Sequence, residues 1–146
     1  MWPQGLAAAT VTVVDGLGIV RDDGTLSVGG HPVRLFGIII PQTRRTCRSF
    51  LNSPRCAPSA VLVLEDKVTG FVRCEIVRQG RDGIPEGVCG VRGRDLFAPR
   101  EDLAGWMLQQ GFALARPEAP PEYFALERLA QSQQVGLWNP GIVNIR

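Results

Sequence analysis

Polar and apolar residues alternate along ATVTVVDG, residues 9–16, which is the two-residue period of a strand with one face buried. The run ends in Asp15-Gly16, a pair that predicts a turn. GIVRDDGTLSVGGHPVRLFGIII, residues 18–40, predicts two further short strands around Asp23-Gly24 and Gly29-Gly30, turn pairs in which glycine tolerates positive φ. From Ala57 to about Val68 the period becomes helical: Val61, Leu64 and Val68 stand at i, i+3 and i+7, and Pro58 suits a helix N-terminus. Strand character returns in FVRCEIVR and GVCGVRG, the arms of a hairpin whose connection holds Gly83, Pro85 and Gly87.

REDLAGWMLQQG, residues 100–111, places Leu103, Trp106 and Met107 on one helical face, with Glu101 and Asp102 in the first turn and Gly111 just past the end. FALARP is a short extended piece. Pro120 and Pro121 open a last helix with Tyr123, Leu126 and Ala130 on one stripe, and Gly136 predicts its C-cap before Leu137 and Trp138. Met107 and the tryptophans read as packing residues rather than a binding box. Five short strands, one helix between the third and fourth and two more helices afterwards predict an α+β, mainly β chain. The expected fold is a five-stranded Greek-key barrel of the OB type with three helices. One domain over residues 1–146, with a core from about 11 to 138, accommodates all of it, since no repeat, linker or low-complexity tract interrupts the chain.

Composition adds limits. At 45% hydrophobic and 21% charged residues the chain can bury a core, which excludes the disordered and collagen-like classes. A net charge of +2 is too small to argue for nucleic acid. The local concentration Arg44, Arg45, Arg48 and Arg55 is either a solvated loop beside a disulfide or an anion-binding patch. No run approaches the roughly 18–20 apolar residues of a membrane-spanning helix. The opening MWPQGLAAATVTVVDG has neither a basic head nor a long apolar middle, so no targeting segment is visible. An exported protein would be represented here by its mature part, with Met1 where a signal peptide had been removed.

Cysteine usage is the most informative total. Cys47 and Cys56 flank a short loop, and Cys74 and Cys89 sit in the two hairpin arms, so the layout suggests two disulfides, Cys47–Cys56 and Cys74–Cys89. A four-cysteine zinc site is the rival, but structural zinc usually takes close C-x-x-C pairs, and none is present. Two disulfides imply an oxidising compartment.

Five segments carry a family resemblance: VVDG at 13–16, VRLFGI at 33–38 followed by Pro41, the hairpin ending at Asp82, DLAGWMLQQGFALA at 102–115, and YFALERLAQSQQVGLW at 123–138. Over roughly Val11 to Trp138 the chain resembles the staphylococcal (thermo)nuclease-like domain, and its four cysteines fit an exported bacterial branch of that family. In nuclease members the chemistry needs Ca²⁺ on oxygen ligands, a glutamate that activates water and two arginines that bind phosphate.

The resemblance then implies a loss. Where the family reads D-G-D-T this chain has DGLG, with Leu17 at a calcium-ligating aspartate. Where it reads R-L-x-G-I-D-A-P-E this chain has RLFGIIIPQ, with Ile39 at the second aspartate and Gln42 at the glutamate. The second arginine position matches Glu86, a reversal of charge, and Arg34 alone remains. The expectation is therefore a non-catalytic barrel with no metal and no cofactor, binding another protein or an envelope component in the periplasm or outside the cell.

Two alternatives stay open: a divergent phosphodiesterase using Arg34, and a nucleic-acid or polyanion binder using Arg34, Arg44 and Arg45. Arg34 is held either by a local carboxylate, for which Glu86 is the natural candidate, or by backbone carbonyls; otherwise it retains an anion. Asp15 reads as a turn-capping residue and His31 as a surface histidine in a turn. Gln42, Thr43 and Asp82 form the remaining candidate hydrolytic group, but a neutral glutamine cannot act as a general base. The segment RGRDLFAPRE around residues 93–101 lengthens the connection before the second helix and is a candidate contact surface.

Overall fold

The computed structural model describes residues 11–41, 60–92, 97 and 99–140. Its first strand, β1 (Val13–Val20), runs straight through Asp15-Gly16, where the sequence predicts a turn. The glycine answers a different need. Gly16 has φ 155°, and a Cβ there would stand 2.7 Å from the Cα of Gly29, so β1 can lie against the turn that follows β2 (Leu26–Val28) only because that side chain is missing. The other glycine turns behave as read: Gly24 N–H donates to the Arg21 carbonyl at 2.9 Å, and Thr25 N–H donates to Asp23 Oδ1 at 2.9 Å.

After β3 (His31–Leu35) come a short β4 (Ile38–Ile39), helix α1 (Ala60–Lys67), β5 (Phe71–Gln79), β6 (Pro85–Val91) and β7 (Glu101–Asp102). Helix α2 (Leu103–Gln109), β8 (Leu114–Ala115), helix α3 (Pro121–Gln133) and a 3₁₀ turn, Gly136–Trp138, complete the described elements. The strand order is β3-β2-β1-β5-β6, with β7 outside β6; parallel pairing of β3 with β6, Arg34 beside Glu86, closes five strands into an OB-like barrel. β4 and β8 form a separate antiparallel pair.

Alternation decides what is inside. Leu26, Val28, Val33, Leu35, Val72 and Val91 point inward from their strands, and Leu64 of α1 with Leu103, Met107 and Leu108 of α2 packs against them. Cys74 and Cys89 face each other across the β5–β6 hairpin and are joined by a disulfide, both 0% exposed. Cys47 and Cys56 lie outside the described residues. Among the described residues, no helix is long and apolar enough to cross a membrane.

The two later helices start and stop differently from the sequence reading. Glu101 and Asp102 belong to β7 rather than to the first turn of α2; Asp102 is the N-cap, and its Oδ2 accepts a hydrogen bond from the Tyr123 hydroxyl at 2.6 Å. Burial first, and that bond second, push the Tyr123 pKa upward, so the phenol stays protonated. α3 is capped by Gln134, at φ 53°, and not by Gly136, which opens the 3₁₀ turn. Pro85 and Gly87 belong to β6 rather than to the connection, with Pro85 its first residue. Trp106 is half-buried beneath Lys67, whose Nζ lies 4.9 Å from the ring centre, while Leu103 and Met107 are fully buried.

Candidate functional site

Barrel closure brings β3 alongside the far end of the β5–β6 hairpin, and the charged groups of both meet in an open cleft of about 590 Å³. Arg34, Arg78, Arg81 and Arg116 line it together with Asp82, Glu86 and Glu118. Four guanidinium groups therefore share a space with three carboxylates.

The partner of Arg34 is Asp82 and not Glu86. Although Arg34 and Glu86 are neighbours in the β3–β6 register, Arg34 Nη2 donates to Asp82 Oδ2 at 2.8 Å. The hairpin turn explains the choice. Gly80 N–H donates to the Ile84 carbonyl, Ile84 N–H donates to Asp82 Oδ1 at 3.1 Å, and the second carboxylate oxygen is left pointing across to β3. Glu86, only 7% exposed, accepts instead from Arg78 Nε at 3.1 Å. A register slip between Ile76 and Arg78 makes this possible, because it sets Arg78 directly opposite Glu86.

Arg78 is also shared. Its Nη2 donates to Glu118 Oε1 at 2.7 Å, and its guanidinium lies 5.4 Å from the centre of the Phe36 ring. Arg116 donates from Nε to the Ile38 carbonyl at 3.3 Å and comes within 3.8 Å of Glu118. The charges adjust to these contacts. The Arg34 hydrogen bond, helped by Ile84 N–H, pulls the Asp82 pKa down to about 2, and the same bond raises that of Arg34. Arg78 is raised by Glu86 first and Glu118 second.

Arg34 also borders a smaller hollow of about 140 Å³, where Asp23 and Arg116 face Ile38, Ile39 and Ile40. Ile39 thus stands close to the arginine and presents an aliphatic surface there. Leu17 is placed elsewhere: it lines neither hollow and stands 60% exposed on the outside of β1, opposite Phe71. Asp15 lies mid-strand opposite Arg73 rather than in a turn, and His31 is exposed at the start of β3. Gln42, Thr43, Arg44, Arg45, Arg48 and Arg55 lie outside the described residues. Among those described, no group of three or more histidine, cysteine, aspartate or glutamate side chains is placed to hold a metal ion.

Arg78, Arg81, Arg116 and Glu118 are site residues that the sequence reading missed. Arg78 reads as an outward residue of a regular strand until the bulge turns it. Arg116 and Glu118 follow β8, and only the β4–β8 pairing carries them to the cleft; no local pattern announces it.

The titration of Asp82 tests this geometry. Arg34→Ala is expected to return the Asp82 carboxyl from about 2 towards its ordinary value near 3.8, read by NMR titration of the side-chain carbon. A depressed carboxyl stabilises the fold above its ordinary pKa and loses that contribution as pH falls through the lowered value. The Arg34–Asp82 contribution is thus complete at neutral pH and disappears between about pH 4 and pH 2. An unchanged Asp82 titration in the variant would remove Arg34 as the cause.

When the chain is compared with known proteins, no family profile matches it and no curated protein matches it.

Proposed function

We propose that this chain is a catalytically silent, nuclease-like barrel that acts as a binding module for another protein or an envelope component in an oxidising compartment. The observation that supports it most is the engagement of the cleft: Asp82 occupies Arg34, and Glu86 and Glu118 occupy Arg78. A phosphodiesterase needs its arginines available to the phosphate and one carboxylate available to a metal or a water. Here the carboxylates are taken up by Arg34 and Arg78, and the side chain of Ile39 beside Arg34 is aliphatic. Calcium takes six to eight oxygen ligands, usually with carboxylates among them; in the hollow beside Arg34, Ile39 supplies none, and the one carboxylate there, Asp23, already accepts from Thr25 N–H. The buried Cys74–Cys89 disulfide supports export, since such bonds persist in oxidising compartments.

Polyanion binding is the second reading, favoured by one feature. The Arg34–Asp82 pair is partly exposed, with side chains 33% and 48% accessible, and such pairs are worth little to the fold. An incoming phosphate could exchange with Asp82, and Arg81 has no ion-pair partner among the described residues. DNA retention that declines steeply with salt would favour this reading.

The deciding assay is digestion of plasmid and single-stranded DNA with Ca²⁺ against an EDTA control, using protein freed of host nuclease. No calcium-dependent cleavage is expected from the unmodified chain or from Gln42→Glu alone, because groups that act as a unit do not recover singly, nor from Leu17→Asp, whose carboxylate would stand on the outside of β1. Calcium-dependent cleavage abolished by Arg34→Ala would overturn the proposal.

A further inference from the structure

Two hollows share a wall. Arg34 and Arg116 line both the open cleft of about 590 Å³ and the smaller hollow of about 140 Å³, so the two spaces adjoin across a pair of guanidinium groups. The smaller one is mostly aliphatic elsewhere. Leu35 and Ile38 are its buried residues, and Ile39, 44% exposed, stands open to an incoming group. This is room for one branched aliphatic side chain beside two cations.

Arg116 is held but not used up. Its Nε donates to the Ile38 carbonyl at 3.3 Å, which ties the guanidinium to β4, while Nη1 comes no closer to Glu118 than 3.8 Å. Among the described residues neither Nη group makes a hydrogen bond, so the fork is fixed with those donors unused. Such a fork fits the two oxygens of a carboxylate. The protein's own carboxylates already accept from other donors: Asp23 from Thr25 N–H, Asp82 from Arg34 and Ile84 N–H, and Glu86 and Glu118 from Arg78. In the small hollow two guanidinium groups face the one carboxylate of Asp23, which leaves an excess of positive charge.

We infer that the joined hollows receive the C-terminal residue of another polypeptide, its α-carboxylate on Arg116 and Arg34 and its aliphatic side chain against Ile39. The carboxylate and the side chain leave the same carbon, so one terminal residue fills both halves of the site. The inference rests on the protein-binding reading above and names the part of the partner that is bound. The larger cleft favours a peptide over a polyanion. Asp82, Glu86 and Glu118 line it and would repel the phosphates that followed a first one, whereas a peptide offers N–H groups to their remaining oxygens and carbonyls to Arg81. A sugar-phosphate chain also brings no aliphatic group for the isoleucine hollow. Asp82 competes for Arg34, but through a partly exposed pair that a second carboxylate can replace.

The test is an NMR titration of the full chain with N-acetyl-Gly-Gly-Leu carrying a free carboxylate, read at the Arg116 Nε–H and the Ile39 methyls. Saturable shifts are expected at both. Affinity should fall at least about tenfold when the peptide ends in an amide, and again when glycine replaces its leucine. Arg116→Gln and Ile39→Ser should each bring a similar loss, and Arg116→Lys should recover little, because it keeps the charge without the fork. Asp82→Asn, which leaves Oδ1 to Ile84 N–H, should tighten binding several-fold by releasing Arg34. Leu129→Ser, which removes an exposed apolar group on α3, should bind as the unmodified chain does. Circular dichroism melts establish that each variant is folded. No saturable shift, equal binding of the amide, or affinity unchanged in both Arg116→Gln and Ile39→Ser would overturn the inference. Equal binding of free leucine, or shifts with a single-stranded oligonucleotide and none with the peptide, would overturn the polypeptide partner. Calcium-dependent digestion of DNA would instead overturn the reading on which the inference rests, so the two failures are told apart.

Discussion

Removal of the Cys74–Cys89 disulfide, by Cys74→Ala with Cys89→Ala, is expected to lower stability by about 3 kcal/mol. The bond closes a segment with a sequence separation of 15, and chain-entropy reasoning assigns roughly that amount to a loop of this length. Both sulfurs are 0% exposed in the barrel interior, so the alanines also remove packed atoms, which adds to the loss. For a chain of this size the effect corresponds to a fall of about 10 °C in Tm. Urea denaturation of the double variant beside the unmodified protein measures it, with Cys47 and Cys56 retained in both. A difference below about 1 kcal/mol would mean that the hairpin is held by its ladder and side chains alone. The same burial predicts slow reduction, because thiol attack needs access to a sulfur and the closed barrel gives none.

Gly111→Ala is expected to be at least as damaging, at about 3 kcal/mol or more. Gly111 has φ 81°, and a Cβ built there would lie 2.2 Å from the Val135 carbonyl oxygen, which is backbone and cannot swing aside. The contact is reciprocal. A Cβ on Gly136 would stand 2.4 Å from the Gln110 carbonyl oxygen, while Leu137 N–H donates to the Gly111 carbonyl at 2.9 Å. These two glycines let the end of α2 touch the end of α3. Gly30→Ala is the control, because Gly30 has φ 86° with nothing within 4 Å, leaving only the conformational penalty of about 1 kcal/mol. Equal losses in the two variants, measured by chemical denaturation, would show that the close approach of the helix ends is not what fixes Gly111.

The elements that could be read from the chain were those whose pattern is local. Val61 and Leu64 at helical spacing, and alternation in FVRCEIVR and GVCGV, are consequences of one buried face and need no knowledge of partners. The facing cysteines were legible for the same reason. Asp15-Gly16 misled because its glycine serves a contact with Gly29, thirteen residues on, and a turn and a close approach leave the same letter in the sequence. Glu101 and Asp102 misled because acids suit both the first turn of a helix and the residues just before it. At the site, Arg34 and Glu86 were recognised, but their partners were not. One bulge displaces Arg78 onto Glu86, and the turn geometry at Gly80–Ile84 presents Asp82 to Arg34. Both depend on backbone detail that residue types do not record.

The parallel contact between β3 and β6 has a kinetic consequence. It joins Arg34 to Glu86, 52 residues apart in the chain, whereas the hairpin that supplies the other half of the cleft is local. Pairings of such sequence separation assemble slowly, because the intervening loop must be ordered before the contact returns any stability. The hairpin can therefore form on its own timescale while the cleft waits for the seam. Arg34 meets Asp82 only when the barrel has shut, so an opened barrel would keep its disulfide and lose its charge pairing, two states that a proton titration can tell apart.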